Sequence, residues 1–363
     1  MSKENKPKAY AQAGVDIALA DRLLNRVKPE LRKATRPEVL GGIGSFGGLF
    51  DISKLSSRHK HPVLVSSTDS VGTKLKVASL AGKHDGVGHD IVNHCMNDIA
   101  VMGAEPLFFL DYFACDKLDA AVYPAVLKSV ARACRAGGCA LVGGETCELP
   151  GVYLPGEYDL VGTVVGCVDR ASIITGEAIR PGDVVLGVDS DGLHTNGFSL
   201  ARKIVFGNLG MAPGDRFPGG RGGIANALLK PHRNYAGLLS RLISSGNRGK
   251  RGNTRAHNQI LGIAHITGGG LTGNLPRVLP EGTAAEINTD SWDTPPLFRF
   301  LVEQGKVDYE ESHEVWNMGI GLALVVPPNA AEEVMANCKS AGHHATAIGA
   351  ITRGNGKVKL VRD

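Results

Sequence analysis

Apolar residues along this chain follow two spacings that alternate from one segment to the next. In the first half, helical spacing occurs at 15–33, 88–102 and 119–136, and short apolar runs typical of strands occur at 62–67, 107–110, 140–142 and 158–168. In the second half, the same patterns predict helices at 199–206, 225–243 and 330–340 and strands at 184–188, 319–326, 346–351 and 358–361. Such alternation is typical of α/β proteins.

The number of these elements predicts two α/β domains of similar size. A chain of 363 residues exceeds the length at which one hydrophobic core usually keeps growing. The two sets of elements separate near residue 170, so we predict an N-terminal domain at 1–170 and a C-terminal domain at 171–363. The halves share no visible sequence identity, and no internal repeat is predicted.

Composition excludes several classes of protein. The hydrophobic content of 43% supports real cores, and the 48 glycines lie in short motifs between apolar segments, which favours a globular chain. A net charge of +4 is too small to indicate nucleic acid as the main partner. Seven cysteines without a C-x-x-C pair predict reduced, buried thiols. No apolar signal stretch or membrane-length run is visible, so we expect a cytoplasmic protein without membrane contact.

The segment Thr-Asp-Ser-Val-Gly-Thr-Lys at 68–74 combines a carboxylate, a glycine and a lysine, which is typical of a site that binds a metal ion and phosphate. It follows a predicted strand, so Asp69 should emerge where Mg²⁺ can reach its oxygens. Gly72 and Thr73 would let the backbone pass close to a phosphate, and Lys74 would supply the counter-charge. The spacing is not that of a Walker A loop. An ordinary strand-to-turn connection is the alternative.

A glycine-dense loop at 41–48 contains a G-x-G-x-x-G match. It follows a helix and a proline, whereas a dinucleotide-binding fingerprint follows a strand, so that interpretation fails. A mobile flap that covers phosphate through Gly44, Ser45, Phe46 and Gly47 fits better. A flexible loop that only closes a turn is the alternative.

Three separate carboxylates are candidates for one Mg²⁺ site. They are Asp69, Asp98 in the Asn-Asp pair at 97–98, and Glu145 in Gly-Gly-Glu-Thr at 143–146. Mg²⁺ is usually held by a few carboxylates, with phosphate and water in the remaining positions. For each of these acids, the alternative interpretation is a solvated surface group or a helix cap. Asp98, however, lies in a largely apolar predicted helix, where an unpaired carboxylate is costly.

Two loops in the second half each combine a histidine with glycines. Asp-Gly-Leu-His-Thr-Asn-Gly at 191–197 contains His194 and Asn196, and His-Ile-Thr-Gly-Gly-Gly at 265–270 begins with His265. Imidazole suits proton transfer near neutral pH, and glycines ahead of a helix can aim N–H groups at an anion. The anion-binding candidates here are Asn196, Thr267, Gly268, Gly269 and Gly270. A histidine that only caps a turn is the alternative.

The segment 244–259 is basic and rich in glycine and asparagine, and it contains no acid. It predicts a flexible loop. A solvated insertion is favoured over a grip on an anionic partner.

In combination, four of these motifs resemble those of the phosphoribosylformylglycinamidine cyclo-ligase family, the aminoimidazole ribonucleotide synthetases of purine biosynthesis. They are the motifs at 68–74, 97–99, 143–146 and 265–270. The similarity runs from Tyr-Ala-Gln-Ala-Gly-Val-Asp at 10–16 to the end of the chain, including 106–112 and 317–321. The wider superfamily includes selenophosphate synthetase, thiamine-phosphate kinase, formylglycinamidine synthase halves and a hydrogenase-maturation protein.

This resemblance implies an ATP-dependent ligase that closes formylglycinamidine ribonucleotide to 5-aminoimidazole ribonucleotide through an iminophosphate. It implies that Asp69, Asp98 and Glu145 hold Mg²⁺, that Lys74 neutralises transferring charge, and that His194 and His265 are candidates for proton transfer. It further implies a homodimer in which strands of both N-terminal domains close a β-barrel, a C-terminal α/β sandwich, and an ATP cleft near the domain junction.

Two departures from the family pattern are visible. The basic insertion at 244–259 is longer than the family predicts, and Gly273 replaces an acidic residue usual there. Another superfamily enzyme, such as a selenophosphate synthetase or a small-molecule kinase, is the nearest alternative. The former is disfavoured because the first cysteine, Cys95, falls within a predicted helix rather than a glycine-rich N-terminal segment. A silent nucleotide-binding regulator would be expected to lack some of these carboxylates or histidines.

Overall fold

The computed structural model describes residues 9–42, 44, 46–246 and 259–363. Its strands are β1 Pro62–Ser70, β2 Glu105–Cys115, β3 Ala140–Glu148, β4 Tyr158–Asp169, β5 Val184–Asp189, β6 Gly262–His265, β7 Thr283–Asn288, β8 Ile320–Val326, β9 Ala345–Arg353 and β10 Val358–Val361. Its α-helices are α1 Ala9–Gln12, α2 Ile17–Leu31, α3 Leu55–Arg58, α4 Lys74–Ala81, α5 Val87–Ala100, α6 Val122–Ala136, α7 Phe198–Arg202, α8 Ile224–Leu228, α9 Ala236–Gly246, α10 Gly270–Asn274, α11 Pro296–Gly305, α12 Tyr309–Val315 and α13 Ala331–Ser340.

The first sheet has the order β1-β4-β2-β3, in which only β2 and β3 run parallel. Burial alternates along β1 and β4, so one face of the sheet is covered and the other is open. Helices α5 and α6 pack on the covered face through residues such as Ile91 and Val130. On the open face, Leu64 is 60% exposed. The sheet therefore presents an uncovered surface in this single chain.

The second sheet has the order β10-β7-β9-β5-β8-β6, with a parallel pair only between β7 and β10. Strand β8 is buried at every position. Its uninterrupted apolar run is typical of a strand that is covered on both faces of the sheet. One face packs in a core with α9 and α13, through Leu239 and Val334, and the other contacts α10 through Leu271. This half is an α/β sandwich, and both sheets belong to mixed α/β folds as the sequence predicts.

Helix α5 lies where the two halves meet. Twelve of its 14 residues are buried, because the β1–β4 sheet covers one side and the C-terminal half covers the other. A single cluster of apolar side chains runs from Ile91 and Met96 of this helix to Leu239 of α9. The polar side chains of α5 are consequently held inside the domain junction.

The structure corrects one predicted helix and adds several elements. The predicted helix at 225–243 is interrupted, because Pro231 lacks an N–H and the chain leaves the helix between α8 and α9. The short α4 and the elements β6, β7, α11 and α12 were not predicted. Across the described residues, the helices are too short or too polar to cross a bilayer.

Candidate active site

Polar side chains from both halves of the chain converge beside the middle of α5. Asp69 lies near the end of β1, and His94 and Asp98 lie four residues apart on the same face of α5. His265 ends β6, and the loop at 191–197 lies next to it. The predicted residues Asp69, Asp98 and His265 are thus brought together.

Asp69 and Asp98 share one imidazole between them. Oδ2 of Asp69 lies 3.0 Å from Nε2 of His94, and Oδ2 of Asp98 lies 3.9 Å from the same nitrogen. The Ser67 hydroxyl donates to Oδ2 of Asp98 at 3.0 Å. Both carboxylates keep an open side, since the side chains are 39% and 29% exposed. The pair can therefore reach a ligand from solvent.

His265 is oriented from both ends of its ring. Its Nδ1 lies 2.7 Å from Oδ1 of Asp98, and its Nε2 lies 2.9 Å from Nε2 of His232. An imidazole that contacts a carboxylate through one nitrogen has a fixed ring orientation and a stabilised protonated form. His265 is thus held in a fixed orientation between Asp98 and His232.

Four histidines, His94, His194, His232 and His265, form a compact group that we call the histidine cluster. Nδ1 of His94 lies 2.8 Å from the Thr195 hydroxyl, which lies 3.4 Å from Nδ1 of His232. The rings of His194 and His232 stack at 4.0 Å. The cluster links α5 of the first half to two loops and the end of β6 in the second.

Burial and neighbouring charges shift the pKa values of these four histidines in different directions. It lowers the pKa of His194 and His232 well below the usual value, and neighbouring cations add to that effect. Burial also lowers the pKa of His265, although Asp98 opposes it. Burial acts in the same direction on His94, but its hydrogen bond and charge interaction with Asp69 prevail and raise its pKa. His94 is therefore the member that most readily carries a proton.

His194 occupies an unusual position. Its ring is buried, and neither ring nitrogen has a hydrogen-bond partner within the described residues. Its backbone φ is +58°, in the left-handed region that costs a side-chain-bearing residue energy. The ring stacks on His232, so His194 has to leave this stack before it can contact a substrate.

Lys74 does not lie where a phosphate-binding lysine would lie. Its side chain is fully buried at the start of α4, and Nζ donates to Asp90 Oδ1 at 2.7 Å. Nζ also donates to the carbonyls of His194 at 2.8 Å and Lys230 at 2.7 Å. An ammonium has three N–H groups, and all three are used here. The predicted phosphate contact of Lys74 does not fit this geometry, in which the lysine ties the two halves together.

Glu145 is separated from the other two predicted metal ligands. In the strand register, Asp69 is level with Gly162, Asp111 and Gly144, whereas Glu145 is one residue further and faces the opposite side of the sheet. Three strand spacings, roughly 14 Å, separate β1 from β3. A Mg²⁺ site made by all three carboxylates of one chain is therefore wrong for this structure.

The glycine loop also lies near β3 rather than above Asp69. Ile43 and Ser45 fall outside the described residues, and Phe46 and Gly47 are exposed. Gly44 and Glu145 line a cavity of about 280 Å³ that is bounded by α2, α6 and β3. The described residues of the loop therefore do not cover the Asp69 and Asp98 carboxylates of the same chain.

The remaining predicted anion-binding residues are arranged as two adjoining turns. Asn196 lies against Gly268, since its Oδ1 would be 3.1 Å from a Cβ built there. Gly269 and Gly270 have φ values of +95° and +58°, and a Cβ on Gly270 would collide with the carbonyl oxygen of His313. Thr267 donates to Oδ1 of Asn274 at 3.3 Å. In the motif at 68–74, Gly72 has a φ of +69° and the Thr73 hydroxyl contacts that of Ser199.

Asp111, in the cavity beside β3, leads to a prediction about pH. Burial raises the pKa of this carboxyl from 3.8 to about 7. The folded protein then binds a proton that the unfolded chain releases, so stability falls as pH rises between these two values. We expect Asp111→Asn to gain stability relative to the parent chain between about pH 5 and pH 8, measured as the urea midpoint.

The surface variant Asp290→Asn in the other half serves as the control for Asp111→Asn. It should leave the difference from the parent chain unchanged across the same range. A constant difference for Asp111→Asn would show that its carboxyl is not protonated on folding.

Sequence reasoning missed three side chains of this site. His94 was visible as an imidazole four residues before Asp98, on the same face of a predicted helix. His232 follows Pro231 in a polar segment between two apolar ones, which indicates a loop that returns to the core. Asp90, the partner of Lys74, lies one turn before His94 on α5. Helical spacing could have found His94 and Asp90, but nothing in the sequence places His232 against His265.

Comparisons with known proteins agree with the resemblance seen in the motifs. Residues 53–168 match the family described as AIR synthase related protein, N-terminal domain, and residues 180–361 match the corresponding C-terminal domain. The chain is 49% identical over 95% of its length to phosphoribosylformylglycinamidine cyclo-ligase of Anaeromyxobacter dehalogenans (strain 2CP-C), covering 96% of that protein. It is 47% identical to the protein of the same name from Geobacter metallireducens, with 95% of each covered.

The fold is shared with more distant proteins. The crystal structure of hydrogenase maturation protein HypE in complex with ATP superposes with a TM-score of 0.66 at 18% identity, covering 94% of this chain and 91% of that one. At this identity the likeness is one of architecture.

Proposed function

This chain belongs to the AIR synthase related family over both of its halves, and from that premise we propose how its site performs the cyclo-ligase reaction. The chain is a C–N-bond-forming ligase of purine biosynthesis that uses ATP to close formylglycinamidine ribonucleotide to 5-aminoimidazole ribonucleotide, with release of ADP and phosphate. The observation that carries the site proposal is the convergence of Asp69, Asp98 and His265 next to two glycine turns.

Asp69 and Asp98 are the proposed ligands of Mg²⁺ on the ATP phosphates. Their carboxylates both approach Nε2 of His94 and keep an open side, so both can offer an oxygen to a hard cation. When bound, Mg²⁺ supplies positive charge that stabilises the transferring phosphoryl group. Two carboxylates from this chain, with phosphate and water, are sufficient for its octahedral shell.

The adjoining turns are the proposed cradle for the phosphates. Asn196, Thr267 and the glycines at 268–270 lie together at the end of β6, beside His265. The positive φ values of Gly269 and Gly270 direct the backbone around a tight turn that a side chain would block. Anions bind such turns through their N–H groups.

His265 is the proposed proton acceptor of the ring closure. ATP phosphorylates the formyl oxygen, and the ribosyl-bearing nitrogen then attacks the formyl carbon. The new C–N bond forms, the C–O bond to phosphate breaks, and the attacking nitrogen loses a proton. Burial keeps His265 neutral, and its Nε2 can accept that proton once it separates from Nε2 of His232, while Asp98 stabilises the resulting imidazolium through Nδ1. His194 is the second candidate once its ring leaves the stack.

The open face of the first sheet is the proposed dimer surface. Leu64 and the half-buried Val161, Val165 and Leu110 share this face. A second copy placed against it would turn two open sheets into a closed barrel and cover these side chains. The glycine loop and Glu145 lie at the β3 edge, so this arrangement also offers them a role at the site of the second copy. Light scattering on the purified chain measures the mass that decides this.

The function is tested by following ADP and aminoimidazole ribonucleotide from purified protein with Mg·ATP, with and without formylglycinamidine ribonucleotide. Both products should form only when that substrate is present. ATP turnover without it would indicate a sister kinase. Nucleotide binding without either product would indicate a silent regulator.

Asp69→Asn is expected to raise the free Mg²⁺ concentration that gives half-maximal rate by about tenfold, because one lost charged ligand costs roughly 1.4 kcal/mol. The measurement is a Mg²⁺ titration of the ring-closure rate at saturating ATP. Asp290→Asn, at an exposed carboxylate that contacts no residue of the site, should keep the parent value. A lower maximal rate with unchanged Mg²⁺ dependence would remove Asp69 from the metal site.

A further inference from the structure

His94, Asp98 and His265 each turn one ligand atom toward the same point. The three atoms lie within 4.8 Å of one another, and the two histidines are buried while Asp98 is half-buried. The carboxylate of Asp69 adds an oxygen 3.0 Å from Nε2 of His94. Two imidazoles and the carboxylate of Asp98 thus lie close together at the junction of the two halves, with Asp69 beside His94.

The outer nitrogens of both rings are already occupied. Nδ1 of His94 contacts the Thr195 hydroxyl at 2.8 Å, and Nε2 of His265 contacts Nε2 of His232 at 2.9 Å. Metal-binding histidines almost always use their second nitrogen in this way, which fixes the ring and its tautomer. The inner nitrogens, Nε2 of His94 and Nδ1 of His265, are left facing Asp98.

The kind of ligand decides which cation suits this position. Mg²⁺ prefers oxygen ligands, whereas imidazole nitrogens favour divalent first-row transition metals. Two histidines with one carboxylate and an open fourth position form a ligand set that Zn²⁺ and Co²⁺ accept. Asp69 or a solvent molecule can complete the set from the exposed side.

We propose that His94, Asp98 and His265 form a binding site for a divalent transition metal of the Zn²⁺ and Co²⁺ class. This metal replaces the hydrogen-bond and ion-pair contacts that His94, Asp98 and His265 now make with one another. The ligand atoms have to move by about an ångström to form metal bonds of about 2.0–2.2 Å. Asp98 also belongs to the Mg²⁺ site of the proposed function. On that premise the two metals exclude each other, and a transition metal inhibits the enzyme.

Cobalt is the probe, because tetrahedral Co²⁺ has visible d–d absorption. Metal-free, tag-free protein is titrated with CoCl₂, and bound metal is measured by equilibrium dialysis. The parent chain should bind one Co²⁺ per chain, displaced by Zn²⁺. His94→Gln should weaken binding by about tenfold or more, and the exposed-site control His344→Gln should bind like the parent.

A second variant protects the test from a folding defect. His265→Asn removes the other ring while keeping a donor toward Asp98, and circular dichroism checks that both variants are folded. Binding that is absent in the parent chain, or unchanged in both folded variants, overturns the site. A Co²⁺ affinity that Mg²⁺ with a non-hydrolysable ATP analogue does not lower overturns the exclusion alone. None of these binding results depends on whether the ring-closure assay succeeds.

Discussion

Lys74→Met is expected to lower the free energy of unfolding by about 3–5 kcal/mol, because it leaves the buried Asp90 carboxylate without its cation. Lys74 and Asp90 are both fully buried, and the variant also frees the carbonyls of His194 and Lys230. Burial lowers the pKa of Lys74 and raises that of Asp90, so each group depends on the other to remain charged. Urea unfolding followed by circular dichroism gives the value.

Lys76→Met is the matched control, two residues further along α4. Lys76 is 37% exposed and pairs with Glu157 at the surface, where an ion pair contributes about 0–1 kcal/mol. Neutralising the orphaned acid in the double variant Lys74→Met, Asp90→Asn should recover part of the loss. Equal effects of Lys74→Met and Lys76→Met would contradict the buried-pair explanation.

His265→Asn is expected to reduce the turnover number of the ring closure by about 10²–10⁴-fold, the usual contribution of a general acid or base. Asparagine can still donate to Asp98 from the position of Nδ1, so the carboxylate stays in place, but it cannot accept the proton of the attacking nitrogen. Single-turnover formation of aminoimidazole ribonucleotide measures the chemical step.

The control for His265→Asn is His344→Asn, an exposed histidine of the same half. It should retain the parent rate. Unchanged turnover in folded His265→Asn would remove His265 from the chemistry and leave His194 as the candidate.

Local patterns predicted the elements that depend on local chemistry. Continuous or alternating apolar runs predicted β1, β4 and β8, and helical spacing predicted α2, α5 and α6. Gly269 and Gly270 have the left-handed conformations that favour glycine. Asp98 lies in a largely apolar helix as predicted, and its carboxylate contacts Ser67 and His265 there.

Contacts between distant segments could not be read from those patterns. Lys74 is near a glycine in sequence, as phosphate-binding lysines often are. Its side chain points into the junction because it pairs with Asp90 of the neighbouring helix α5. Glu145, like Asp69, lies in a polar motif that follows an apolar run. Strand order and side-chain alternation nevertheless place Glu145 on the other face of the sheet. His232 reaches His265 only because Pro231 interrupts the helix.

Helix α5 combines two properties that are usually found in different parts of an enzyme. It is enclosed on two sides, and it carries Asp98 and His94 of the candidate site. Enclosed backbone opens to solvent only in the rarest fluctuations, so these side chains have a nearly stationary base. Adaptation to successive reaction intermediates therefore falls to the loops that carry His194 and the glycine turns. Natural variation that alters substrate handling can accumulate in those loops, whereas changes on α5 disturb the folding of both halves at once.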